Sequence, residues 1–191
     1  MKHILVLYGT TEGQTRKIAE FIGTALRKRG CLAVVLDSAS PEADRISPSY
    51  AGAILGGSLH QGKHQAALEH FVRAHAGWLA SIPTAFFSVS LAAAGADEEE
   101  HAEAKRLAEQ FIADTGLKPV ASRCIAGALK YTQYDFMKRF VMKMIAKREG
   151  GSTDTSRDHE YTDWSDVERF VDEFLSAASL APEAAVAEAV H

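Results

Sequence analysis

Thr10-Thr11-Glu12-Gly13-Gln14-Thr15 places three hydroxyl side chains and one glycine directly after an apolar run. Hydroxyls donate to phosphate oxygens, and a glycine lets the backbone approach closely or adopt φ > 0. A helix starting just beyond adds unpaired N–H groups and the positive end of its dipole. The residue types and their spacing predict a phosphate cradle. The G-x-x-x-x-G-K-S/T loop is absent, because Gln14-Thr15 supplies no lysine, and so is the dinucleotide turn G-x-G-x-x-G. An ordinary capped strand-to-helix turn is the alternative that the motif alone leaves open.

Other reactive residues are scattered. His60 and His64 stand four apart, but Gly62 interrupts them and no cysteine or carboxylate completes a ligand set, so no metal site is predicted. His70 and His75 read as helix surface, Cys124 as a small core residue, and Trp78 and Trp164 as packing residues. Cys31 and Cys124 form no pair or motif, which points to a reduced, intracellular compartment. A formal charge of −4 gives no general nucleic-acid signal. The apolar run after Met1-Lys2-His3 is too short for a signal-peptide core, and none reaches the ~18 residues of a spanning helix. Membrane contact is therefore expected to be peripheral at most.

The elements that must hold the cradle follow from periodicity. A chain of 191 residues predicts one domain that buries roughly 70% of its unfolded surface. Ile4-Leu5-Val6-Leu7-Tyr8 reads as a strand covered on both faces. Ile18, Ile22, Ala25 and Leu26 recur at helical spacing until Gly30 offers a cap. Further strands are predicted at 32–36, 52–57, 84–89 and 120–126, and helices at about 64–79 and 97–115. In the last of these, Ala104, Leu107, Ala108, Phe111 and Ile112 form the inner face. A final helix opens with Ser165-Asp166-Val167-Glu168, a capping box. Strands alternating with helices predict an α/β fold with a doubly wound five-stranded parallel sheet of order 2-1-3-4-5. Ligand then binds beyond the carboxyl ends of the first, third and fourth strands. The domain is expected over 1–179, with a frayed tail at 180–191.

Residues 127–163, between the fifth strand and the last helix, are too many for an ordinary loop and predict a helical insertion. Within 134–148, Met137, Phe140, Val141, Met144 and Ile145 share one side of an amphipathic pattern, and Lys138, Arg139, Lys143, Lys147 and Arg148 make it basic. Such a segment is either a cover on the domain or a surface for anionic membrane or a lipophilic partner.

The 10–15 turn resembles the phosphate loop of flavodoxins. More specific matches lie in Phe87-Ser88-Val89-Ser90-Leu91, in Ile125-Ala126-Gly127-Ala128-Leu129-Lys130-Tyr131, and in Gly150-Gly151-Ser152-Thr153-Asp154-Thr155 followed by Tyr161-Thr162-Asp163-Trp164. From about Lys2 to Ala178 the chain resembles the flavodoxin-fold protoporphyrinogen IX dehydrogenases, FMN enzymes that pass electrons to quinones. Two departures stand out. His60-Gln61-Gly62 replaces an Arg-Tyr-Gly, and Ala92-Ala93-Ala94 begins a stretch that is often basic.

The resemblance implies FMN as cofactor, protoporphyrinogen IX or a related tetrapyrrole as substrate, and a membrane quinone as acceptor. Thr10, Thr11, Glu12, Gly13, Gln14 and Thr15 would hold the phosphate. Ser58, Leu59 and His60 would border one side of the ring, and Ser90, Leu91 and Ala92 the other. No acid–base catalyst is nominated beyond His60 as a candidate. Complete oxidation of a porphyrinogen needs several flavin cycles and a ready acceptor, which a quinone fits better than NAD(P), since no domain for NAD(P) is visible. A flavodoxin-type electron carrier or an NAD(P)H:quinone reductase is the alternative. The expected location is cytoplasmic, peripheral on the inner face of the cell membrane through 134–148. Homo-oligomerisation stays open.

Overall fold

The computed structural model describes residues 1–94, 98–129 and 159–180. Its strands are β1 (His3–Gly9), β2 (Leu32–Asp37), β3 (Gly52–Ser58), β4 (Thr84–Ser90), β5 (Ala121–Ala126), β6 (Ala128–Leu129) and β7 (His159–Glu160). The described helices are α1 (Gln14–Lys28), α2 (Ala66–Ala74), α3 (Ala76–Leu79), α4 (Glu98–Thr115) and α5 (Trp164–Ala177). Five strands form one parallel sheet in the order β2-β1-β3-β4-β5, as the alternation of elements predicts. The first four crossovers run through 3-10 turns or helices, whereas β6 and β7 make a separate antiparallel pair.

Side-chain alternation sorts the core into two layers. Ile4, Val6 and Tyr8 of β1 point to the face covered by α1 and α5, where Ile18, Ile22, Phe170 and Phe174 meet them. Leu5 and Leu7 point to the other face, against Leu68 and Phe71 of α2 and Phe111 of α4. Each large apolar side chain buried this way contributes about 1.5–3 kcal/mol. Coverage on both faces is why β1 reads as an unbroken apolar run. The edge strand β2 is less protected, with Leu32 and Val34 exposed.

Helix ends follow local chemistry. After α1, Gly30 adopts φ +78° and donates to the Arg27 carbonyl, while Cys31 N donates to Leu26 O. After α5, Ser179 at φ +53° donates to Ser176 O, and Leu180 N donates to Leu175 O. Both are Schellman stops, and in both the residue beyond the turn is buried.

Four local expectations need correction. Asp163, not Ser165, caps α5: its carboxylate accepts from Ser165 N at 2.9 Å and Asp166 N at 3.1 Å. The helix starts early because Trp164 already packs on Phe21, with ring centroids 4.8 Å apart. The predicted 64–79 helix is two helices, broken at His75 (φ −109°, ψ 16°) just before the poor helix former Gly77. His75 is half-buried rather than surface, with its ring 4.3 Å from that of Phe71. On α4, Leu107 and Ile112 are only half-buried, and Thr115 takes the inner position, donating to Phe111 O.

Candidate functional site

The carboxyl ends of β1, β3 and β4 open into one cleft of about 530 Å³, within the range of small-molecule sites. It lies where the chain order turns from β1 outward in both directions, the expected ligand position for a doubly wound sheet. Thr10, Thr11, Glu12, Gln14 and Thr15 line it from the β1 side. Ser58, Leu59 and His60 line it from β3, and Ser90, Leu91 and Ala92 from β4. Every nominated residue except Gly13 thus faces one space. Among the described residues, Gln61, Gly62, Val89, Gly127 and Ala128 also line it, beyond those the sequence predicts. No Phe, Tyr or Trp is among these lining residues.

Gly13 acts through the backbone. It takes φ +93° at the N-cap of α1, where a Cβ would meet open space but strained geometry. The Thr10 hydroxyl oxygen accepts from Gly13 N at 2.9 Å, and the first α-helical bond runs from Lys17 N to Gly13 O. The N–H groups of Gln14, Thr15 and Arg16 therefore have no carbonyl within the helix to meet. No acidic residue occupies the first turn of α1, so the positive end of its dipole is not neutralised from within. The Thr15 hydroxyl is wholly buried and has no partner among the described residues. A buried hydroxyl without a partner is costly, and an acceptor-rich anion in the cleft would relieve it.

The two flanking loops are fixed by hydrogen bonds. His60 and Lys63 exchange backbone bonds at 2.9 and 3.1 Å, with Gln61 and Gly62 both at positive φ, so 60–63 is a tight two-residue hairpin. Leu59 N donates to Val89 O at 2.7 Å and joins this loop to β4. Ser90 Oγ accepts from Ala93 N at 3.2 Å and shapes the short turn Ala92–Ala94.

Neighbouring residues outside the 10–15 motif support these loops. Gln65 lies behind the cleft and bonds to both Thr11 and Ser58. His64 does not face His60 as half of a metal pair; its Nε2 lies 2.9 Å from Ser88 Oγ, and its ring packs against the stacked pair Phe86 and Phe111. Burial there lowers its pKa to about 4, so the imidazole is neutral at physiological pH. Cys124 is half-buried, and burial raises its thiol pKa, which leaves it a poor nucleophile. Among the described residues, no cluster of His, Cys, Asp and Glu has the makings of a metal site.

The strap leading into α5 reaches the same loop. Gln14 Nε2 donates to Thr162 Oγ1 at 2.9 Å, and that hydroxyl donates to Ala126 O at 2.7 Å. Lys17 pairs with Glu160, and Trp164 Nε1 donates to the same carboxylate. Residues 130–158, which hold the predicted 134–148 helix and most of the predicted insertion, lie outside the described residues, as do 95–97 and all of the predicted 180–191 tail except Leu180, which is buried. Among the described helices, none is long and apolar enough to cross a membrane.

A five-stranded 2-1-3-4-5 sheet with an anion-ready helix start beyond β1 defines a flavodoxin-type protein. The flavodoxin domain matches residues 5–156. Oxidised flavodoxin 1 from Bacillus cereus has the same fold, with a TM-score of 0.52, 17% identity, and coverage of 91% of this chain and 97% of that one. The protoporphyrinogen IX dehydrogenase (quinone) of Escherichia coli strain K12 is 36% identical over 169 residues, 88% of this chain and 92% of that protein. The enzyme of that name from Leishmania major is 31% identical over 178 residues, 93% of this chain and 77% of that protein. The chain belongs to the flavodoxin-domain family of quinone-dependent protoporphyrinogen IX dehydrogenases.

Proposed function

We propose that this protein uses FMN to oxidise protoporphyrinogen IX to protoporphyrin IX, with a quinone as electron acceptor. The observation that carries the reading is the 36% identity over 88% of the chain to an enzyme of that name. Bound flavin supplies the electron exchange between porphyrinogen and quinone. The protein's own part is placement. The α1 start, Gly13 and the hydroxyls of Thr10, Thr11 and Thr15 receive the phosphate, and the buried, unpartnered Thr15 hydroxyl fits an anion there. The loops at 58–60 and 90–92 border the ring system. His60, at the position where the family commonly has Arg, offers an imidazole instead of a guanidinium beside it.

FMN is preferred to FAD because a single anion cradle at β1 suits a monophosphate. Replacing Thr15 by Val removes one donor to a charged group and is expected to weaken FMN binding by about 1.5–3 kcal/mol. Titration of apoprotein followed by flavin fluorescence measures it, and unchanged affinity would detach the loop from the phosphate. Anaerobic flavin reduction then separates substrates: protoporphyrinogen IX should reduce the bound flavin faster than NADPH. The reverse order would make the protein a pyridine-nucleotide-dependent quinone reductase.

The sequence of 134–148 supports contact with an anionic membrane where quinone resides. Each basic residue near such a surface contributes up to ~1 kcal/mol at modest salt. Changing Lys138, Arg139, Lys143 and Lys147 to Gln should leave FMN bound but slow porphyrinogen-to-quinone turnover on anionic vesicles. Added salt should slow the wild type in the same direction. Full turnover by the variant on those vesicles would reject membrane contact through this segment.

A further inference from the structure

Gln65 stands behind the cleft lining and joins two loops that come from different strands. Ser58 N donates to Gln65 Oε1 at 3.1 Å. Gln65 Nε2 donates to Thr11 Oγ1 at 3.0 Å and also to Ser58 Oγ. A backbone N–H can only donate, so the amide oxygen must face Ser58 N, and this sets which end of the amide meets the hydroxyls. The NH₂ end then gives one hydrogen to each hydroxyl. A hydroxyl that accepts in this way keeps its own proton to donate. Thr11 Oγ1 and Ser58 Oγ are 3.5 Å apart, too far for either to take the other's proton in a good hydrogen bond. Both oxygens belong to residues that line the cleft.

Two glycines make room for this amide. A Cβ on Gly9 would stand 2.8 Å from Gln65 Oε1, and one on Gly57 would stand 3.4 Å from it. Small residues at the ends of β1 and β3 therefore let one side chain bridge the two loops.

We propose that Gln65 is a positioning residue that polarises Thr11 and Ser58, so that both hydroxyls donate into the cleft toward the bound cofactor. Thr11 donates to the phosphate, which only accepts, and Ser58 donates to an acceptor on the ring system. The proposal rests on the FMN reading above.

A Glu at position 65 would keep the shape and still accept from Ser58 N, but it can donate nothing. It would draw the protons of Thr11 and Ser58 to itself and away from the cleft. A near-isosteric Met would make none of the three bonds and leave both hydroxyls free to turn. FMN affinity should therefore fall in the order wild type, Gln65→Met, Gln65→Glu. A residue that merely tethers the loops gives the opposite order for the two variants, because Glu retains the tether.

A mutant cycle separates polarity from the added negative charge. Thr11→Val should cost about tenfold in FMN affinity in the wild type, as expected for a hydrogen bond to a charged group. In the Gln65→Glu background the same change should cost less than about twofold, since the Thr11 proton no longer serves the ligand. A Thr11→Val effect of the same size in both backgrounds overturns the proposal while leaving FMN binding in place. Failure of the wild type to bind FMN overturns the cofactor reading and this proposal with it.

A second readout needs no Glu variant. In NMR spectra of the wild type, the two Nε2 protons of Gln65 should be separately resolved. One should shift in Thr11→Val and the other in Ser58→Ala. Side-chain amide resonances that ignore both substitutions would also overturn the assignment.

Discussion

Acidification from pH 7 to pH 4 is expected to remove about 3 kcal/mol more stability from the wild type than from a His64→Gln variant. The folded protein buries the imidazole against the stacked rings of Phe86 and Phe111, and this burial lowers its pKa from 6.5 to about 4. In the unfolded chain the same group protonates near its ordinary value. Between those two values the unfolded state binds more protons, so falling pH favours unfolding. The contribution is fully present above about pH 6.5 and is lost progressively as pH drops toward 4, below which both states are protonated. Gln can still reach Ser88 Oγ but does not titrate. Urea unfolding of both proteins across this range checks the effect, with carboxylate titrations common to both cancelling in the difference. Parallel stability curves would mean that His64 protonates without cost in the fold.

A change at Gly56 should cost about as much without any pH dependence. Gly56 lies in the middle of β3 beside Phe87 in the sheet register. A Cβ built there would overlap the Phe87 ring at Cζ and both Cε atoms. That ring cannot retreat easily, because Phe87 and its edge-to-face neighbour Phe170 are both fully buried. Gly56→Ala is therefore expected to cost about 3 kcal/mol, the upper end for overpacking a dense core. Combining it with Phe87→Leu should recover part of the loss, because the shorter side chain vacates the contested space. A double mutant whose two costs simply add would show that the ring is not the obstacle.

Much of this architecture is legible in the sequence because its signals are local and periodic. Ile4 to Tyr8 reads as a doubly covered strand since every position is apolar, and Gly30 marks the end of α1 since few other residues sit easily at φ +78°. The hydroxyl-rich turn declares an anion site through residue type alone. Gln65 and His64 escaped because their roles depend on which strands become neighbours. Nothing in His64-Gln65 announces a bond to Thr11 or packing against Phe86 and Phe111. The cap of α5 was misplaced by a similar cause. Asp163 and Ser165 are both good caps, and the choice is made by Trp164 packing on Phe21, a contact between distant parts of the chain. The pairing of β6 with β7 was hidden because two residues per strand carry no periodicity.

That small pairing has a consequence for how the chain can vary. Ala128 opposes Glu160 and Leu129 opposes His159, so residues 129 and 159 are held side by side. The return strap is then fastened to α1 by Gln14–Thr162 and Lys17–Glu160. For a connection whose ends are held together, the entropy of closure grows only logarithmically with length, and a doubling costs about 0.6 kcal/mol. Whatever lies between residues 129 and 159 can therefore lengthen, shorten or change in composition at little thermodynamic expense to the sheet.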